Sequence, residues 1–89
     1  MRAVVTVMGN DRTGIIARTS TFLADNGINI LDITQTILQN IFTMVMLVDL
    51  QGATVEFSQL AKKLDDLGQD LGVEIRMQHE DIFNSMHRI

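Results

Sequence analysis

The chain has 89 residues, a formal net charge of −4, four phenylalanines as its only aromatic residues, and neither cysteine nor proline. That length holds one domain, which buries roughly 60–65 % of its unfolded surface, and the missing cysteines exclude disulfides and thiolate metal sites. The acidic balance disfavours a nucleic-acid groove, and so few aromatics supply no base-stacking platform.

Residues 2–8 read as a first strand, apolar and β-branched, suited to the middle of a sheet. No signal-peptide core is expected, because Thr6 and then Gly9-Asn10-Asp11-Arg12 interrupt the apolar run. No 18-residue apolar span is present, so no membrane crossing or membrane partner is expected. With no cysteine, the expected location is a reducing cytoplasm.

Met8 to Ile16 is a strand–loop–helix joint with glycines at Gly9 and Gly14. Such a joint presents backbone N–H groups and the positive end of a helix dipole to an anion. A small ligand, if there is one, belongs here. The spacing of Gly9 and Gly14 matches a phosphate loop, but Ile15-Ile16 stands where Lys-Ser/Thr is needed, so nucleotide hydrolysis is not expected.

A first helix is predicted from about Thr13 to Asn26. Ile15, Ile16, Thr19, Phe22 and Leu23 fall on one side. Asp11 or Thr13 is the expected N-cap, and Gly27 the expected left-handed residue after the last turn. A second strand covers Ile28 to Leu38. Its apolar parity changes between Ile30 and Leu31, as a bulge or bend produces. Gln39-Asn40 is a short turn in which the Asn suits a positive φ. A third strand, Ile41 to Leu50, sets Phe42, Met44, Met46, Val48 and Leu50 on one face and Ile41, Val45 and Leu47 on the other.

Thr54 is the expected N-cap of a second helix over Val55 to Leu71, whose stripe of Phe57, Leu60, Ala61, Leu64, Leu67 and Leu71 faces a core. Gly72 ends it. In the fourth strand Val73, Ile75, Met77 and His79 alternate with Glu74, Arg76, Gln78 and Glu80, the mark of an edge strand with one solvated face. Residues 81–89 read as a short amphipathic helical tail with Ile82, Phe83, Met86 and Ile89 on one side, so residues 1–80 form a single domain and 81–89 its tail.

The order β-α-β-β-α-β is the ferredoxin-like α+β sandwich. Right-handed crossovers place both helices on one face of a four-stranded antiparallel sheet in the order 4-1-3-2. The other face then carries Ile41, Val45 and Leu47 without a helix to cover them. Burial of each large apolar side chain is favourable by ~1.5–3 kcal/mol, so a homodimer or higher homo-oligomer is expected.

The joint Gly9-Asn10-Asp11-Arg12-Thr13-Gly14-Ile15-Ile16 and the segment Asn26-Gly27-Ile28-Asn29-Ile30-Leu31-Asp32-Ile33, in this element order, resemble the ACT domain. The match is nearest to small stand-alone bacterial ACT proteins related to the glycine cleavage system transcriptional repressor, and spans roughly residues 2–80. The resemblance implies a regulatory, non-catalytic module that binds amino acids or other small metabolites, without a cofactor. It implies a site formed by Asn10, Asp11, Gly14 and Ile15 in the loop and by Asn29 and Ile30 at the start of the second strand. An amino-acid carboxylate would accept N–H groups near Gly14 to Ile16, and its ammonium would donate to Asn10, Asp11 and Asn29. The bland alternative is that Asp11 caps the helix itself and Asn29 shapes the strand break. The sequence departs from the family pattern in that no catalytic or second regulatory domain is expected to be attached, and a protein target is one of the partners the resemblance admits.

Other chemistry-bearing residues have structural explanations. His79 has inward parity and is expected to be packed; His79 and His87 have no metal-site geometry. Asp65-Asp66 and Glu80-Asp81 are adjacent pairs that diverge into solvent. Ser20 and Ser58 have no positioned base, and Met44, Met46 and Met77 read as core filler. Two rival functions remain. One is an acylphosphatase-like hydrolase using Arg12 with Asn29 or Asn40, an analogy of fold alone because the glutamine–glycine–valine signature is absent. The other is a protein-interaction module with no small ligand.

Overall fold

The computed structural model describes residues 1–10 and 14–86. The elements are β1 (Arg2–Asn10), α1 (Ile15–Asp25), β2 (Asn29–Leu38), β3 (Ile41–Asp49), α2 (Phe57–Leu71), β4 (Glu74–His79) and α3 (Glu80–Met86). The four strands form one antiparallel sheet in the order β2-β3-β1-β4, as the ferredoxin-like reading requires.

Register follows hydrophobic parity. Val5 lies opposite Met46 and Met77, and Val7 opposite Met44 and Ile75. These six, with Ala3, Phe42 and Val48, form the sheet's side of the core. Ile15 and Leu23 of α1 and Leu60 and Leu64 of α2 complete it. Both helices sit on this face because only their apolar stripes match it.

Both long helices end on a left-handed glycine, and in each the hydrogen bonds form a Schellman motif. For α1, the Gly27 N–H donates to the Ala24 carbonyl at 3.0 Å and the Ile28 N–H to the Leu23 carbonyl at 2.9 Å. Leu23 and Ile28 are both buried, giving the apolar contact that accompanies this motif. For α2, Gly72 at φ 74° donates to the Gln69 carbonyl and Val73 to the Gly68 carbonyl at 2.8 Å.

The helix starts differ from expectation. Gly14, at φ 90°, is the N-cap of α1; Asp11 and Thr13 lie outside the described residues. Helix α2 begins at Phe57 after Glu56, two residues later than predicted. Thr54 does not cap it. Its N–H donates to the Asn26 carbonyl at 3.0 Å and ties this turn to the end of α1. A bond to a neighbouring element wins over a local cap.

In β2 the parity change is a bulge between Ile30 and Asp32. Ile30 faces Val48 and, one residue gained, Ile33 faces Met46 and Ile37 faces Phe42. The bulge thus returns all three isoleucines to one face. Yet Ile33 and Ile37 stay 43 % and 60 % exposed, because this half of β2 reaches past the helix layer. Gln39 and Asn40 have φ of 50° and 72°, so the β2–β3 turn is a two-residue type I′ hairpin.

On the face away from α1 and α2, Ile41 is exposed and Val45 and Leu47 are half-buried, where the alternation put them. Helix α3 contacts β1 and β4. It begins at Glu80, one residue earlier than predicted, and residues 87–89, with His87, are outside the described residues. No helix of the described residues is long and apolar enough to cross a membrane.

Candidate functional site

Strand β1 delivers its last residue, Asn10, exposed at the end of the sheet and opposite Ile41. The chain re-enters the described structure at Gly14. The left-handed φ there is open to glycine and strained for other residues. A Cβ at Gly14 would meet nothing within 4 Å among the described residues. Among the described residues no side chain hydrogen-bonds the cap. In helical geometry the N–H groups of Ile15, Ile16 and Ala17 have no carbonyl partner within the helix. The Gly14 carbonyl accepts the Arg18 N–H at 2.8 Å and fixes the first turn. Ile15 is 2 % exposed and anchors that turn in the core.

Asn29 and Ile30 are elsewhere. Asn29 opposes Asp49 and Ile30 opposes Val48. Asp49 also faces Arg2, while Ile41 faces Asn10. From Ile41 to Asp49 is eight residues, or about 26 Å of strand. Within one chain, then, Asn10, Gly14 and Ile15 lie at one end of the sheet and Asn29 and Ile30 at the other. Asp11, the sixth candidate, falls outside the described residues, as does Arg12.

The remaining candidates are placed as follows. His79 is half-buried and stacks on Phe57, ring centres 4.0 Å apart and planes 10° from parallel. Met44, Met46 and Met77 are in the core. Asp65, Asp66 and Ser58 are exposed and Ser20 half-buried. Among the described residues no group of three or more His, Asp or Glu is placed to hold a metal.

Sequence reading missed the partner of Glu80. Its carboxylate accepts from two nitrogens of the Arg2 guanidinium, Nε–H donating to Oε1 at 3.0 Å and Nη2–H to Oε2. This hydrogen-bonded pair lowers the Glu80 pKa and raises that of Arg2. No local signal marks a contact between residues 78 positions apart. Only the pairing of Ala3 with His79 brings them together.

A sheet in this order, with both long helices on one face and α1 opening on a left-handed glycine, is a ferredoxin-like sandwich, a fold that regulatory small-ligand-binding domains use. The chain belongs to the ACT domain family, whose model matches residues 2–78. It is 57 % identical over 88 residues to a UPF0237 protein of Methanocaldococcus jannaschii, covering 99 % of this chain and 98 % of that one. An ACT domain protein from Streptococcus pneumoniae superposes with a TM-score of 0.83 at 40 % identity, covering 93 % of each chain. A structure described as a glycine cleavage system transcriptional repressor matches with a TM-score of 0.75 at 27 % identity, covering 86 % of this chain and 44 % of that one.

Proposed function

We propose that this chain is a non-catalytic regulatory domain of the cytoplasm that binds an amino acid as a homo-oligomer. The observation that carries the reading is Gly14: a left-handed residue opening α1, with no atom of the described residues where a side chain would be and no side-chain cap among them. A carboxylate seated there accepts the first-turn N–H groups and gains ~0.3–1 kcal/mol from the helix dipole. Asn10, at the end of β1, offers its amide oxygen to the ammonium.

The separation of Asn29 and Ile30 from Gly14 supports a site shared between subunits. A second chain whose strands run opposite to the first sets its Asn29 at the same end as the first chain's Gly14. The regulated target is then a second protein that responds to occupancy, with no direct contact to nucleic acid or membrane.

Thermal denaturation against each of the twenty amino acids at millimolar concentration tests this. A ligand at 100 times its Kd adds about 2.7 kcal/mol, which is several degrees for a domain of this size. One or a few amino acids raise Tm, and Asn29→Ala removes that shift while leaving the ligand-free Tm in place. No shift with any of the twenty overturns the amino-acid reading. The interaction-module reading then stands on the exposed aliphatic side chains of β2.

A further inference from the structure

We propose that Asn26 is a site of spontaneous modification, where the side-chain amide is lost to the backbone nitrogen that follows it, and that the docking of the turn before α2 on the end of α1 is a latch that holds this reaction off in the folded chain.

Of the asparagines Asn10, Asn26, Asn29, Asn40 and Asn84, only Asn26 precedes a glycine. The reaction begins when the Gly27 nitrogen attacks Cγ of Asn26. A new N–C bond closes a five-membered imide, the Gly27 N–H gives up its proton, and ammonia leaves. Water then opens the ring at either carbonyl, leaving aspartate or, with the chain rerouted through the side chain, isoaspartate. Glycine offers the least hindered nitrogen for this attack. Asn29 and Asn40 each precede an isoleucine, whose branched Cβ crowds the approach.

The folded geometry blocks the first bond. Ring closure brings Cβ of Asn26 and the Gly27 nitrogen into line about the Cα–C bond. At the observed ψ of 13° the Asn26 backbone nitrogen is the atom in line, and Cβ stands a third of a turn away. Closure therefore needs rotation about Cα–C, which swings the Asn26 carbonyl. That carbonyl is held from outside the helix, accepting the Thr54 N–H at 3.0 Å and the Thr54 hydroxyl at 3.4 Å. Both reacting groups are tied as well. The Gly27 N–H donates to the Ala24 carbonyl at 3.0 Å, and Asn26 Nδ2–H to the Phe22 carbonyl at 2.9 Å. Gly52 closes the other side: a Cβ at Gly27 would sit 2.1 Å from the Gly52 carbonyl oxygen.

The product does not restore the latch. Aspartate at this position lacks the Nδ2–H donor and sets a negative charge at the C-terminal end of α1, where the helix dipole disfavours it. Isoaspartate adds a backbone atom where Gly27 and Gly52 are already in contact. Modification is thus a one-way loosening of the turn between α1 and β2.

The test is peptide mass spectrometry on the full chain held in neutral buffer, with and without guanidinium chloride, following conversion at each asparagine. In denaturant Asn26 converts first. In the folded chain it converts about a hundredfold more slowly, the factor for giving up three hydrogen bonds of ordinary net strength. Ile28 is buried and its N–H completes the cap of α1. Ile28→Val raises the folded rate roughly two- to tenfold through easier opening and leaves the denatured rate unchanged. The converted chain, refolded, has a lower Tm. Earlier conversion of another asparagine in denaturant overturns the site. Equal rates at Asn26 in the folded and denatured chain, or a folded rate that Ile28→Val does not move, overturn the latch. An unchanged Tm after conversion overturns the one-way loosening.

Discussion

Gly68 in α2 packs directly on the backbone of Val73: a Cβ at Gly68 would sit 2.8 Å from the Val73 carbonyl oxygen and 3.2 Å from the Ile75 nitrogen. Helix α2 lies this close to β4 only because residue 68 has no side chain. In an open helix, Gly→Ala is stabilising by about 1 kcal/mol. Here the obstacle is backbone that belongs to the next strand, and overpacking of this kind costs ~1–3 kcal/mol. Gly68→Ala therefore lowers stability in urea denaturation. An increase would show that α2 shifts freely on the sheet.

Thr19 gives a prediction of opposite sign. It is fully buried between Ile15 and Leu23 on α1, and its hydroxyl has no hydrogen-bond partner among the described residues. A buried polar group without a partner costs ~1–3 kcal/mol. Thr19→Val keeps the shape, removes the hydroxyl and raises Tm by several degrees. Thr19→Ser, which keeps the hydroxyl and loses the methyl, lowers it.

The hairpin turn is improvable. Gln39 and Asn40 both hold positive φ, and Asn-Gly suits such a turn better than Gln-Asn. The double change Gln39→Asn, Asn40→Gly is expected to add about 0.5–1 kcal/mol, read from the midpoint of urea unfolding.

The Arg2–Glu80 pair makes part of the stability dependent on pH. Glu80 titrates below its ordinary range in the folded chain because Arg2 hydrogen-bonds and attracts its charged form. A carboxylate depressed on folding contributes stability above its unfolded pKa, about 4.3, and loses it as pH falls through the folded value. The Tm gap between wild type and Glu80→Gln is therefore open at pH 7 and closes below about pH 4. Both groups are exposed to solvent, so the gap is small and shrinks in salt.

The sheet order, both long helices and the core were legible in the sequence because each rests on local periodicity. Phe42, Met44, Met46 and Val48 alternate without a break, and Leu60 and Leu64 repeat at one helical turn. The bulge in β2 was legible as a parity change, but its effect was not. Whether Ile33 and Ile37 are covered depends on how far α1 extends over the sheet, which is a matter of tertiary length. Caps were less legible: Thr54 has the chemistry of an N-cap and is used instead to reach Asn26. At the candidate site, Gly14 was readable as a free backbone position. Its distance from Asn29 was implicit in the β-α-β crossover, which makes β1 and β2 parallel and so puts the end of β1 and the start of β2 at opposite ends of the sheet, but the family resemblance grouped the two as one site.

Strand β1 is made first and completed last. It sits between β3 and β4, and its pairing of Ala3 with His79 closes only when the far end of the domain has been synthesised. On the ribosome its run of Val4, Val5 and Val7 has no strand partner until β3 is made, and only one until β4 follows. Non-local closure of this kind slows folding, and an unpaired β-branched segment is open to wrong partners meanwhile. The newly made protein thus depends on prompt folding once released, and a stall in translation before β4 emerges leaves one edge of β1 unpaired.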